Sequence, residues 1–149
     1  MSRCAETYPL PREDDTKKLA EALAKTTRQG TVYFLKGDLG SGKTTFARYF
    51  IRALMGPDVA VPSPTFTLVQ TYETPEFPLW HVDLYRVESP EEVLELGLDE
   101  AYQYGVSLIE WPDRLGRYAP QNWITIHIKD VNKQRVACIE RETYTTKTG

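Results

Sequence analysis

The stretch Val32-Tyr33-Phe34-Leu35-Lys36-Gly37-Asp38-Leu39-Gly40-Ser41-Gly42-Lys43-Thr44-Thr45 decides the fold. Val32 to Leu35 is a short β-rich apolar run without polar alternation, the pattern of a central strand covered on both faces. Gly37 to Thr44 then meets the phosphate-loop pattern at every required position, and Thr45 extends it. Glycines let successive backbone amides approach an anion with no Cβ in the way, and the dipole of a helix beginning at Gly42 favours negative charge. From Lys43 the period becomes helical, with Phe46, Ala47, Phe50, Ile51 and Leu54 inward, Arg48 and Arg52 outward, and an end near Gly56-Pro57. Strand, glycine loop and helix in that order are the context the motif requires. They predict an α/β fold of the P-loop NTPase kind, a mixed central sheet flanked by helices. Asp38, Leu39, Gly40, Ser41, Gly42, Lys43, Thr44 and Thr45 are then the residues around the phosphates of a nucleotide. Lys43 is expected to reach the β- and γ-phosphates, and Thr44 to offer its hydroxyl to Mg²⁺.

Toward the N-terminus, Leu19, Ala20, Leu23 and Ala24 recur on one face of a helix that Asp14 or Asp15 would cap and Gly30 would stop. Toward the C-terminus, Val61 to Thr65 carries two prolines and reads as extended loop, Phe66 to Tyr72 as a strand, and Leu79 to Tyr85 as another. Ser89-Pro90-Glu91-Glu92 is a capping box opening a short helix that Gly97 closes. Val106 to Ile109 is a further buried strand ending on Glu110-Trp111. Ile124 to Ile128 and Val136 to Ile139 read as an antiparallel pair joined by a polar turn at Asn132-Lys133-Gln134. The tail after Arg141 is polar.

With 149 residues and no internal repeat or linker, residues 1–149 are expected to form a single domain. No apolar run approaches the roughly 20 residues that cross a bilayer, so no membrane role and a cytoplasmic address are expected. Cys4 and Cys138 match no metal-ligand spacing, and the pair alone does not distinguish a disulfide from two thiols. A net charge of −3 argues against a dedicated nucleic-acid surface, which needs a basic stripe. A nucleic acid would be held by another protein.

Asp83 and Glu110 stand at the far ends of two apolar strands, where an open parallel sheet presents its ligand crevice. Either could complete a Mg²⁺ shell or orient water. Thr65, in Ser63-Pro64-Thr65-Phe66, falls where a nucleotide-sensing loop would lie, although turn chemistry explains it equally well. His81 reads as packed and hydrogen-bonded, and His127, alternating with isoleucines, as solvent-facing. Trp111 suits core or partner surface. Asn132-Lys133-Gln134-Arg135 approaches the Asn-Lys-x-Asp of guanine readers, but arginine replaces the aspartate that accepts from the base, which makes adenine the default.

Four blocks together resemble the TsaE (YjeE) family of bacterial tRNA threonylcarbamoyladenosine biosynthesis: Gly37 to Thr45, Ser63-Pro64-Thr65-Phe66, His81-Val82-Asp83-Leu84-Tyr85-Arg86 and Ile109-Glu110-Trp111. The resemblance implies an ATPase, slow alone, that works with a TsaB–TsaD pair modifying adenosine 37 of tRNAs reading ANN codons; tRNA would be met through that complex. It implies Thr44 and Glu110 as Mg²⁺ ligands, Asp83 near the γ-phosphate or its water, and Thr65 as a switch-like contact. Lys43, Asp83 and Glu110 would carry catalysis. Thr16 and Gln134 align with segments flanking the adenine of ATP. Two rivals remain from the residues: a small-molecule kinase, for which Arg114 and Arg117 are the only lid arginines in view, and a nucleotide-dependent switch with incidental hydrolysis.

Overall fold

A computed structural model describes residues 6–38 and 40–144. Seven strands form one sheet: β1 (Glu6–Pro9), β2 (Val32–Lys36), β3 (Val69–Glu73), β4 (Pro78–Asp83), β5 (Val106–Glu110), β6 (Asn122–Val131) and β7 (Gln134–Thr143), in spatial order β1-β7-β6-β2-β5-β4-β3. The inner strands β6, β2, β5 and β4 are parallel, while β3, β7 and β1 are added antiparallel at the edges. The sheet is therefore mixed, as expected.

Helices α1 (Glu13–Thr26) and α2 (Lys43–Met55) cover one face. Leu19, Ala20, Phe46, Phe50 and Ile51 pack there against Tyr33, Leu35, Leu79, Leu108 and Ile126. On the other face, α3 (Leu98–Tyr104) and two 3₁₀ segments, Pro90–Leu96 and Pro112–Tyr118, cover Val32, Phe34, Val82 and Ile109. Residues of β2 alternate between these two clusters, which is why its sequence shows no polar alternation. Among the described residues no helix is long and apolar enough to cross a membrane.

Several boundaries differ from the sequence reading. Phe66 and Thr67 lie in a turn, not a strand; Leu68 adopts φ 69° and β3 starts only at Val69. The two prolines hold the segment before it extended, and the turn closes through Leu68 N–H to the Pro64 carbonyl at 2.7 Å. β4 stops at Asp83 because the Asp83 carboxylate accepts the Tyr85 amide at 2.9 Å and bends the chain. Helix α1 is capped at Arg12, whose amide donates to Asp15 at 3.0 Å, so Asp15 acts from inside the first turn. β1 escaped notice because it is an exposed edge strand with no buried alternation. Helix α3 escaped it because seven residues with two buried positions make no period. β6 and β7 are longer than expected, joined by Asn132 and Lys133 at φ 52° and 65°, a two-residue turn that asparagine tolerates. Ladder pairing carries β7 through Thr143, past Arg141 where a polar tail was expected; residues 145–149 lie outside the described part.

Candidate active site

The parallel strands β2, β4 and β5 end together, and the backbone after β2 turns into the glycine loop. Gly37 adopts φ 150°, and a Cβ there would lie 2.6 Å from the Ile128 carbonyl oxygen, so only glycine lets the loop leave the sheet at this point. Gly42, at φ 108°, precedes the first residue of α2 and aims the helix N-terminus back over the loop. Leu39, assigned to the loop from sequence, lies outside the described residues. Asp38, Gly40 and Ser41 line the turn, with the Ser41 amide donating to the Asp38 carbonyl at 3.0 Å.

Lys43 is buried and donates one of its N–H groups to the Gly37 carbonyl at 2.6 Å. Its ammonium also sits 3.8 Å from the centre of the Trp111 ring. Burial pulls its pKa down, and the carboxylates of Glu110, Asp83 and Asp38 oppose that shift. Thr44 donates to Glu110 Oε1 at 3.2 Å. Asp83 and Glu110 are direct neighbours in the β4–β5 register and both are buried. Thr65 donates to Asp83 Oδ2 at 3.2 Å, and the Asp83 amide donates to the Leu68 carbonyl at 2.9 Å, so the Thr65 turn is tied to the end of β4 twice. His81 is fully buried with Nε2 at 2.7 Å from Glu110 Oε2. The reading of it as packed and hydrogen-bonded therefore matches, although its partner was not foreseen.

Lys43, Thr44, Thr45, Thr65, Asp83 and Glu110 line one cavity of about 350 Å³. A second, of about 640 Å³, is lined by Thr16, Thr45, Gln134 and the turn Leu10-Pro11-Arg12. Thr16 and Gln134 thus come together from opposite ends of the sequence. Gly42, Thr45 and Arg135 line both cavities. Arg135 reaches toward the loop, with Nη2 at 3.5 Å from the Gly40 carbonyl oxygen and Nε at 3.6 Å from Asp130.

Two residues carry more than the sequence indicated. Arg135 was weighed only as the residue in a base-reading aspartate's place; the tight turn after β6 is what swings it over the glycine loop. Trp111 adopts φ 60° at the end of β5, lies tilted against Tyr85 with ring centroids 4.9 Å apart, and roofs Lys43. His127 is half-buried on the sheet face away from the isoleucines, its pKa lowered first by burial and then by Lys129 and Lys36. It lines a separate polar hollow with Lys36 and Glu140.

The residues suit a polyphosphate with a divalent cation. The Ser41 hydroxyl is buried without a hydrogen-bond partner among the described residues, a donor free to meet an acceptor. No group of three or more His, Cys, Asp or Glu could hold a metal among the described residues. Thr44 and Glu110 offer two hard oxygen donors, and Mg²⁺ commonly takes the rest from phosphate and water.

A glycine loop between a central parallel strand and a helix, with lysine, threonine and two carboxylates converging on it, defines an α/β nucleotide-handling protein of the P-loop class. Residues 10–141 match the family model described as threonylcarbamoyl adenosine biosynthesis protein TsaE, and the chain belongs to that family. It is 42% identical over 129 residues to the tRNA threonylcarbamoyladenosine biosynthesis protein TsaE of Rickettsia bellii (strain RML369-C), covering 87% of this chain and 90% of the relative. Against the protein of the same name from Bacillus subtilis (strain 168) it is 40% identical over 137 residues, covering 91% and 82%. The crystal structure of Bacillus subtilis YdiB is similar with a TM-score of 0.75 at 30% identity, over 93% of this chain and 86% of that one.

Proposed function

We propose that this protein is an ATP hydrolase that serves the threonylcarbamoyl modification of adenosine 37 in tRNAs reading ANN codons, acting in the cytoplasm with a TsaB–TsaD transferase complex. One observation carries the hydrolase reading: Lys43, Thr44, Asp83 and Glu110, from three separate segments, converge around one cavity at the strand ends. The tRNA pathway is supported by the names of the relatives and the partners by resemblance.

In this reading Lys43 and the amides of Gly40 to Thr45 hold the phosphate chain, and Thr44 with Glu110 holds Mg²⁺. The cation supplies charge neutralisation on the phosphate oxygens. Asp83 lies beside Glu110 to orient water, and Thr65 on Asp83 couples the turn before β3 to what occupies the cavity. Thr16 and Gln134 line the side where the nucleoside extends, and Arg135 adds a cation between the two cavities. Adenine is the base proposed, because arginine takes the position of the guanine-accepting aspartate.

The kinase alternative needs mobile arginines to close over donor and acceptor. Arg114 donates to the Val87 carbonyl at 3.2 Å and Arg117 pairs with Glu91 at 3.2 Å, both within the 3₁₀ layer. They are engaged away from the cavity, which favours hydrolysis. Phosphate release from ATP and from GTP by the purified chain, repeated with TsaB–TsaD and tRNA, tests the proposal. Slow release from ATP, faster with the complex, is the expected result; equal rates with and without the complex would remove the partnership, and phosphate transfer to a small molecule would favour the kinase.

A further inference from the structure

Of the two histidines, only His81 is sealed from solvent. Strand alternation puts it on the same face of β4 as Leu79 and Asp83, one layer below the cavity. The register pairs His81 with Leu108 and Asp83 with Glu110, so the imidazole lies diagonally beneath the Glu110 carboxylate. Its Nε2 is 2.7 Å from Oε2, while Oε1 accepts the Thr44 hydroxyl at 3.2 Å. The other ring nitrogen, Nδ1, is buried with no hydrogen-bond partner among the described residues.

This places the proton. On Nδ1 it would be a buried donor with no acceptor, and Nε2 would then face a carboxylate oxygen lone pair to lone pair. On Nε2 it makes a short hydrogen bond to Oε2 and leaves Nδ1 as an unused acceptor, the lesser cost. The terminal torsion of a glutamate is broad, so nothing in the side chain itself fixes which oxygen faces the cavity. The hydrogen bond from His81 does.

We propose that His81 is a positioning residue for the cation site: its Nε2–H holds Glu110 Oε2, so that Oε1, beside the Thr44 hydroxyl, is the oxygen offered to the metal. The inference rests on the nucleotide reading of the cavity. A residue hydrogen-bonded to a ligand in this way tunes affinity by aiming the ligand, not by touching the ion.

Breaking a buried pair also destabilises a protein, so stability alone does not separate positioning from simple packing. Two amide replacements do. His81→Gln can carry an N–H to the place of Nε2, whereas His81→Asn ends near Nδ1 and does not reach Glu110. Mn²⁺ binding to the purified full chain with ADP, read by electron paramagnetic resonance, should weaken about tenfold or more in His81→Asn and stay within about threefold of the original in His81→Gln. ADP affinity measured without metal should change less than about twofold in both. Unchanged Mn²⁺ affinity in His81→Asn overturns the inference, and so does an equal loss in the two variants. Should either variant fail to fold, the ¹⁵N spectrum of the unaltered protein decides, since a proton on Nε2 supports the inference and one on Nδ1 overturns it. An unaltered chain that takes up neither ADP nor Mn²⁺ overturns the nucleotide reading and this role with it, whereas uptake with a normal response in His81→Asn overturns this role alone.

Discussion

Strands β4 and β5 differ in kind between their beginnings and their ends. In the first halves Leu79, Val106 and Leu108 pack against the helices in dry apolar contact. In the last residues the same sheet face carries His81, Asp83 and Glu110, with Lys43 opposite, and all four are buried. Removing apolar area from water stabilises a fold, while removing charge from water costs stability unless each charge is paired and hydrogen-bonded. The carboxylates are accordingly held: Asp83 by Thr65 and the Tyr85 amide, Glu110 by Thr44 and His81. The difference teaches that one end of these strands builds the protein, while the other end gives up part of that stability to hold buried charge.

Substitutions at the two ends should therefore fail in opposite ways. Leu108→Ala is expected to lower stability by about 3 kcal/mol through the cavity it leaves, with ATP affinity altered less than about twofold, as read by urea unfolding and calorimetry. Lys43→Ala should do the reverse, losing roughly a hundredfold in ATP affinity, about 2.7 kcal/mol, with a change in unfolding free energy under about 1 kcal/mol. A Lys43→Ala protein that unfolds early but binds normally would erase the distinction between the two ends. Glu110→Gln should retain metal-free ATP binding and lose about tenfold or more of Mg²⁺-dependent phosphate release; normal hydrolysis would remove Glu110 from the metal role. Arg135→Ala, on the exposed lip between the cavities, should weaken ATP by about fivefold, near 1 kcal/mol, and less at high salt. No effect there would confine the site to the strand ends.

Much of this was legible in the sequence because the local signals agree. The glycine loop, the apolar β2 and the period of α2 all specify the same strand–loop–helix unit, and tertiary structure had nothing to overrule. Asp83 and Glu110 could be marked because each closes an apolar run. What the sequence hid depended on register or on weak local pattern. The His81–Glu110 bond spans two strands and follows only once Asp83 is paired with Glu110. Arg135 reaches the loop because β6 and β7 run further than their apolar cores and turn tightly at Asn132-Lys133. The strand expected at Phe66 failed because alternation there competes with a proline-led turn, which leaves Phe66 83% exposed and Thr65 on Asp83.

Calorimetric titration of the purified chain with ATP and GTP, each with and without Mg²⁺, tests the central claim most directly. Binding of ATP that Mg²⁺ strengthens and GTP does not match is the predicted result. No binding of either nucleotide, or GTP bound as tightly as ATP, would contradict it.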